Sequence, residues 1–187
     1  MREPAKKKAT YDDLFGIPDN TIGEIIDGEL IVHPRPSRKH IRAASSLGFE
    51  IGPAYQSGKG GPGGWIILVE PEIQLGEQTM VPDLTGWKRE RFPVTEETNW
   101  ISVAPDWVCE VLSPSTALRD RTKKKEIYAQ AKVGHLWLVD PYNMTVEIYR
   151  LGSGAFDPVG VYGGKYKALL EPFTEIEIDL GNLWLDG

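Results

Sequence analysis

The chain has 187 residues, of which 41% are hydrophobic and 26% charged, a balance that suits one globular domain with a real core and excludes global disorder. Twenty-one Lys and Arg against 27 Asp and Glu give a formal net charge of -6, which excludes a bulk electrostatic nucleic-acid binder and leaves room only for a locally basic face. Cys109 is the single cysteine, so no internal disulfide or structural zinc array is expected, and a reducing cytoplasmic setting is.

The first residues, 1–9, carry Arg2, Lys6, Lys7 and Lys8 with no apolar stretch behind them. They read as a flexible basic tail rather than a secretory signal, ahead of a single domain over 10–187. The longest apolar run, Trp65 to Val69, is far too short for a membrane span. Thr10-Tyr-Asp-Asp13 has the spacing of a capped short helix. Asp27-Gly28 between two alternating runs, 22–26 and 29–33, predicts a hairpin, because both turn positions need positive φ.

Apolar residues then recur at three- and four-residue steps from 39 to 55, the period of a helix opened by Pro36-Ser37. A glycine-rich loop over 57–64 leads to three expected strands, 65–75, 80–87 and 107–112. Ser113-Pro-Ser-Thr116 caps a second helix over about 117–132, stopping near Gly134. Strands over 136–139 and 145–151 form a further hairpin, followed by short β segments. This order predicts an α/β (α+β) fold: a mixed sheet flanked by two main helices, with extra β-hairpins.

Acids interrupt three of these strands. Glu110 shares a strand face with Val108 and Leu112, Asp83 shares one with Val81, and Glu72 faces away from Ile73 and Leu75. A carboxylate among apolar neighbours is costly unless paired or metal-bound. Carboxylates meeting on neighbouring strands would form an oxygen-donor site for Mg²⁺ or Mn²⁺; the alternative is that each acid sits at a strand end in solvent. On the second helix, Asp120, Lys124, Ile127, Tyr128 and Ala131 share one face. Lys124 is therefore aimed at the sheet carrying Glu110, where its charge could hold a scissile phosphate. The alternative there is an ordinary Asp120–Lys124 helix pair.

Charge is uneven. Arg35, Arg38, Lys39 and Arg42 form one basic run and residues 119–125, including Arg121, another, whereas residues 157–187 hold six acids and two lysines. The runs read either as a phosphate-backbone footprint or as solvated helix faces. His40, near the start of the first helix, fits a nuclease site or a cap.

Six segments together resemble a known family. Glu24-x-x-Asp27-Gly28-Glu29-Leu30, Pro36-Ser37-x-x-His40 and Val81-Pro-Asp-Leu84 come first, in order. Glu110-Val-Leu-Ser-Pro-Ser-Thr116, Asp120-x-x-x-Lys124-x-x-x-Tyr128 and Leu136-Trp-Leu-Val-Asp-Pro141 complete the set. They are similar to the Uma-two family of restriction-endonuclease-like proteins, within the PD-(D/E)XK nuclease superfamily. The resemblance spans about residues 10–151.

It implies a restriction-endonuclease-like core and Mg²⁺-dependent hydrolysis of DNA phosphodiester bonds. Asp83 and Glu110 would be metal ligands, with the Val111 carbonyl as a third and Glu72 as a further candidate. Lys124 would act beside them, supported by Glu24, Asp120 and Tyr128; Arg38, Lys39, His40, Arg42 and Arg121 would contact DNA. The chain departs from the pattern where the third motif position is Leu112 instead of lysine. Three readings stay open: a DNA endonuclease, an inactive nuclease fold used for DNA or protein binding, and a hydrolase of RNA or smaller phosphoesters. A homodimer is left open as well.

Overall fold

The computed structural model describes residues 7–95 and 97–185. Of the N-terminal tail, residues 1–6 lie outside the described residues; Ala9 N–H donates to the Gly28 carbonyl at 2.8 Å, and Lys8 pairs with Glu77. A 3₁₀ turn, Tyr11–Gly16, follows with the expected capping box from Thr10 and Asp13. Strands β1 (Thr21–Ile26) and β2 (Glu29–Pro34) form the predicted hairpin, with φ of 53° at Asp27 and 75° at Gly28. Helix α1 (Arg38–Tyr55) opens on Ser37, whose side chain accepts from the His40 N–H.

The expected strand over 65–75 is two strands. Glu70 adopts a φ of 48° and Pro71 has no N–H to give a ladder, so β3 (Trp65–Val69) ends there. The chain enters another sheet as β4 (Ile73–Leu75), which pairs with β5 (Gln78–Met80). Pro82 splits the next expected strand in the same way: β5 stops at Met80, and β6 (Leu84–Lys88) returns to the first sheet.

Strand β7 (Trp107–Val111) leads into the second helix, which is not uniformly α. An α turn (Ala117–Arg119) runs into a π-helical stretch (Asp120–Lys124) and then an α segment (Lys125–Gln130). After it come β8 (His135–Asp140), β9 (Thr145–Leu151), β10 (Phe156–Gly163), β11 (Lys167–Leu170) and β12 (Phe173–Asp179).

The central sheet has the order β10-β9-β8-β7-β6-β3, and its one parallel pair is β7–β8 across the helical crossover. A second sheet, β2-β1-β5-β4, and the pair β11-β12 complete the α+β architecture. Side chains of β7 alternate between two cores. Trp107, Cys109 and Val111 face α1 and β12, whereas Val108 and Leu112 face the second helix. Glu110 therefore points towards that helix. Among the described residues no helix is long and apolar enough to cross a membrane.

The α1-side core centres on Phe173, whose ring lies 4.7–5.7 Å from those of Tyr55, Trp65, Trp107 and Trp137. With Leu170 and Ile178, it packs the small β11–β12 sheet into the core of the central one. Phe173→Ala is expected to lower unfolding stability in urea by about 3–5 kcal/mol. Leu169→Ala, at a side chain 55% exposed on the same sheet, should stay within about 0.5 kcal/mol of the native chain.

Candidate active site

The β6–β7 ladder pairs Leu84 with Cys109, so Asp83, one residue before β6, lies opposite Glu110. Asp83 Oδ2 accepts the Val111 N–H at 2.7 Å, which seats its carboxylate at the C-terminal end of β7. Its other oxygen, Oδ1, meets His40 Nε2 at 2.5 Å. Pro82 is what makes this position available: by ending β5 it leaves Asp83 at the mouth of the ladder instead of inside it.

Glu110 is 4% exposed. Its Oε1 accepts from Tyr128 Oη and lies 2.8 Å from Lys124 Nζ; no hydrogen bond reaches Oε2 among the described residues. The Lys124 amine is 2.9 Å from Glu24 Oε1 and 3.8 Å from Asp120 Oδ1. Glu24 comes from β1. Its Oε1 also accepts the Val81 N–H at 2.9 Å, and its Oε2 meets His33 Nε2 at 3.0 Å. His33 reaches it diagonally across the hairpin, where Glu24 pairs with Ile31 and Ile22 with His33. The π-helical stretch buries Asp120 and Lys124 together, so the lysine stem crosses the apolar layer and only its charged end enters the acidic cluster.

Three carboxylates, those of Glu24, Glu110 and Asp120, thus surround one buried ammonium, and Asp83 lies opposite Glu110. Burial pushes the Glu110 carboxyl well up, Asp120, Asp83 and Glu24 push the same way, and Lys124 opposes them. Burial also raises Asp120. Glu24 shows the opposite balance: burial works against its charge, yet Lys124, His33 and the Val81 N–H bring it down to about 2. Burial alone would lower the Lys124 pKa, but Glu110, Glu24 and Asp120 outweigh it and hold the amine above its ordinary value. Lys124 is charged across the working pH range.

These groups line a cleft of about 250 Å³ shared by Glu24, Asp83, Glu110, Val111 and Lys124. Ser37 Oγ and Tyr142 Oη, 3.3 Å apart, join its two rims, and the Lys39 amine lies 5.8 Å from the Tyr142 ring centre. Arg35 also lines the cleft.

Not every residue singled out from the sequence comes here. Glu72 does not line the cleft; its carboxylate accepts from Tyr11 Oη at 2.5 Å. The face argument that placed it rested on an unbroken strand over 65–75, and Pro71 breaks that strand. Glu70 lines the cleft in its place, and the proline after it was the available signal. Arg121 is held by Glu147 at 2.5 Å and by Asp140, away from the cleft. His40 touches Asp83 rather than standing out as a backbone contact. Leu112, at the position where the motif has lysine, is 2% exposed in the core, and Lys124 supplies the cation from the helix. His33 was missed, since a lone histidine carries no spacing signal.

Among the described residues no three His, Cys, Asp or Glu side chains are grouped to hold a metal by themselves. Asp83 and Glu110 are two hard oxygen donors on opposed strand positions, with the Val111 backbone beside them. That set suits Mg²⁺, which keeps several waters and takes one or two carboxylates plus substrate phosphate instead of a full protein cage.

A family model described as "Putative restriction endonuclease", Uma2, matches residues 9–181. The chain belongs to this Uma2 family. A crystal structure of a putative nuclease belonging to DUF820 from Anabaena variabilis has the same fold: TM-score 0.75 and 25% identity, covering 94% of this chain and 97% of that one. No curated protein matches the chain. In this Uma2 chain the expected restriction-endonuclease-like family and α+β fold are therefore both found.

The charge balance sets unequal costs for removing partners. Lys124→Met leaves buried carboxylates without their cation and should cost about 3–5 kcal/mol of stability at pH 7.5. Glu110→Gln relieves an excess of negative charge while Glu24 still holds Lys124, so its melting temperature should equal or exceed that of the native chain. Thermal unfolding of the two variants side by side checks this.

Glu24 gives a pH signature. Its folded pKa lies below the ordinary 4.5, so its contribution is present above 4.5 and is lost as pH falls towards 2. The stability gap between the native chain and Glu24→Gln should accordingly be full at pH 7 and close between pH 4.5 and 2, measured by urea unfolding.

Proposed function

We propose that this Uma2 chain is a metal-dependent endonuclease that hydrolyses DNA phosphodiester bonds at the Asp83–Glu110–Lys124 cleft. The observation that carries this reading is the 2.8 Å approach of Lys124 Nζ to Glu110, opposite Asp83 in the ladder. It gives the chain two carboxylates and a lysine at one strand end although Leu112 stands at the usual lysine position. Family membership and the likeness to a putative nuclease support the same chemistry.

Mg²⁺ held by Asp83, Glu110 and the Val111 carbonyl, or Mn²⁺ in its place, would polarise a phosphoryl oxygen and ease deprotonation of the attacking water. The residues of the chain do the rest. Lys124 has three N–H donors; Glu24 and Glu110 take two, which leaves the third for a phosphoryl oxygen, whose charge grows in the transition state. His40 fixes the rotamer of Asp83, and Tyr128 fixes that of Glu110. Glu24, braced by His33 and the Val81 N–H, keeps Lys124 at the cleft end of the helix.

Nicking of supercoiled plasmid in Mg²⁺ tests the reading. The native chain should convert plasmid to open circles, and Asp83→Asn, Glu110→Gln and Lys124→Met should each lose about 100-fold or more. Equal rates in native chain and variants would overturn the assignment. No cleavage of DNA by the native chain in Mg²⁺ or Mn²⁺ would leave a nuclease fold that binds without cutting, and cleavage of RNA alone would change the substrate.

A further inference from the structure

A second depression adjoins the catalytic cleft and shares Pro36, His40 and Glu70 with it. It is an apolar groove of about 630 Å³ between α1 and β3, the edge strand of the central sheet. Ile41, Phe49 and Val69 line it while remaining 50%, 79% and 66% exposed. Exposed apolar side chains so concentrated mark a binding surface.

The surrounding charge identifies what fits. Of the two basic runs, that on the second helix is largely engaged within the chain: Arg121 pairs with Glu147, Lys123 pairs with Asp27 at 2.6 Å, Lys124 sits in the acidic cluster and the Lys125 amine lies 3.4 Å from the Tyr149 ring centre, while Arg119 forms no salt bridge among the described residues. In the first run, Arg35, Arg38 and Arg42 form no salt bridge among the described residues. Arg35 lines the catalytic cleft. Arg38 and Arg42, one turn apart on α1, lie on the side of the helix next to Ile41 and Phe49, as 100° per residue requires. These arginines therefore follow the α1 side of a continuous trough, and Lys59 lines the groove as well.

The edge of β3 does not offer itself to another strand, because Gln56 Oε1 accepts the Ile67 N–H at 2.9 Å. That blocks the simplest way for a second copy to add to the sheet.

We infer that the trough binds a single strand of nucleic acid, with one phosphate at Asp83 and Glu110 and the neighbouring bases laid in the groove against Phe49 and Ile41. Cations, Arg38 and Arg42 beside the groove and Lys59 in its lining, around an apolar, aromatic-bearing floor are the combination that tracks a backbone and accepts unpaired bases. A duplex keeps its bases stacked inside and cannot lay them against the apolar floor. The inference rests on the nuclease reading and narrows it: the substrate is a single-stranded or locally unpaired segment.

The test uses the full chain in Ca²⁺ and fluorescein-labelled oligo(dT)20, oligo(rU)20 and a 20-base-pair duplex, followed by anisotropy at 0.1 M salt. One or both single strands should bind at least about tenfold more tightly than the duplex. The dT and rU arms decide between DNA and RNA.

Phe49→Ala, at a side chain outside the catalytic cluster, should weaken single-strand binding by about 5-fold or more and leave duplex binding unchanged. Arg38→Ala/Arg42→Ala should weaken it too and flatten its salt dependence. Equal affinity for duplex and single strand, or unchanged single-strand binding in Phe49→Ala, would overturn the inference. So would light scattering showing a native dimer that Phe49→Asp converts to a monomer, since a second copy would then cover the groove.

The two readings fail separately. Plasmid nicking that depends on Asp83 without single-strand preference overturns only the groove. Single-strand preference lost in Phe49→Ala, with nicking indifferent to Asp83→Asn, overturns only the catalytic assignment.

Discussion

One buried ammonium organises the site. Lys124 Nζ lies within hydrogen-bonding distance of Glu24 on β1 and Glu110 on β7, and near Asp120 on its own helix, so it ties the second sheet, the central sheet and the crossover helix at one point. A carboxylate as deeply buried as Glu110 is tolerable only with such a partner. The acids still outnumber the cation, and Glu110 takes up the imbalance with a raised pKa. A cluster that is too negative for its own lysine is suited to accept further positive charge.

The backbone prepares this arrangement with two prolines and a helix of altered pitch. Pro71 and Pro82 end strands on either side of the β4–β5 hairpin, which frees Asp83 to sit against the Val111 N–H and brings Glu70 to the cleft. The π-helical stretch turns Asp120 and Lys124 inward together. Irregular structure of this kind stands where function needs a side chain aimed off the regular lattice. The rest of the fold, built on β7 packing both faces at once, is ordinary alternation.

How much of this was legible follows from the same physics. The Asp27-Gly28 hairpin, α1, and the strand–helix–strand crossover all rest on local signals, namely turn chemistry and periodicity, and the structure has them. Glu110 and Lys124 were legible because each breaks an apolar pattern, and a charge among apolar residues needs a partner. Glu72 misled because period-2 alternation holds only while the strand is unbroken, and Pro71 breaks it. Glu24 was singled out only through the family pattern, and His33 was not legible at all. Their role depends on the β1–β2 hairpin packing against the loop at Val81, a long-range contact to which no local spacing points.

The nuclease proposal turns on whether this acidic cluster holds a divalent cation between Asp83 and Glu110. Isothermal titration of the full chain with Mn²⁺ tests it most directly. One site per chain is expected, abolished in Asp83→Asn and in Glu110→Gln and retained in Phe49→Ala. Its contradiction would be no binding by the native chain, or a site of equal affinity in Asp83→Asn.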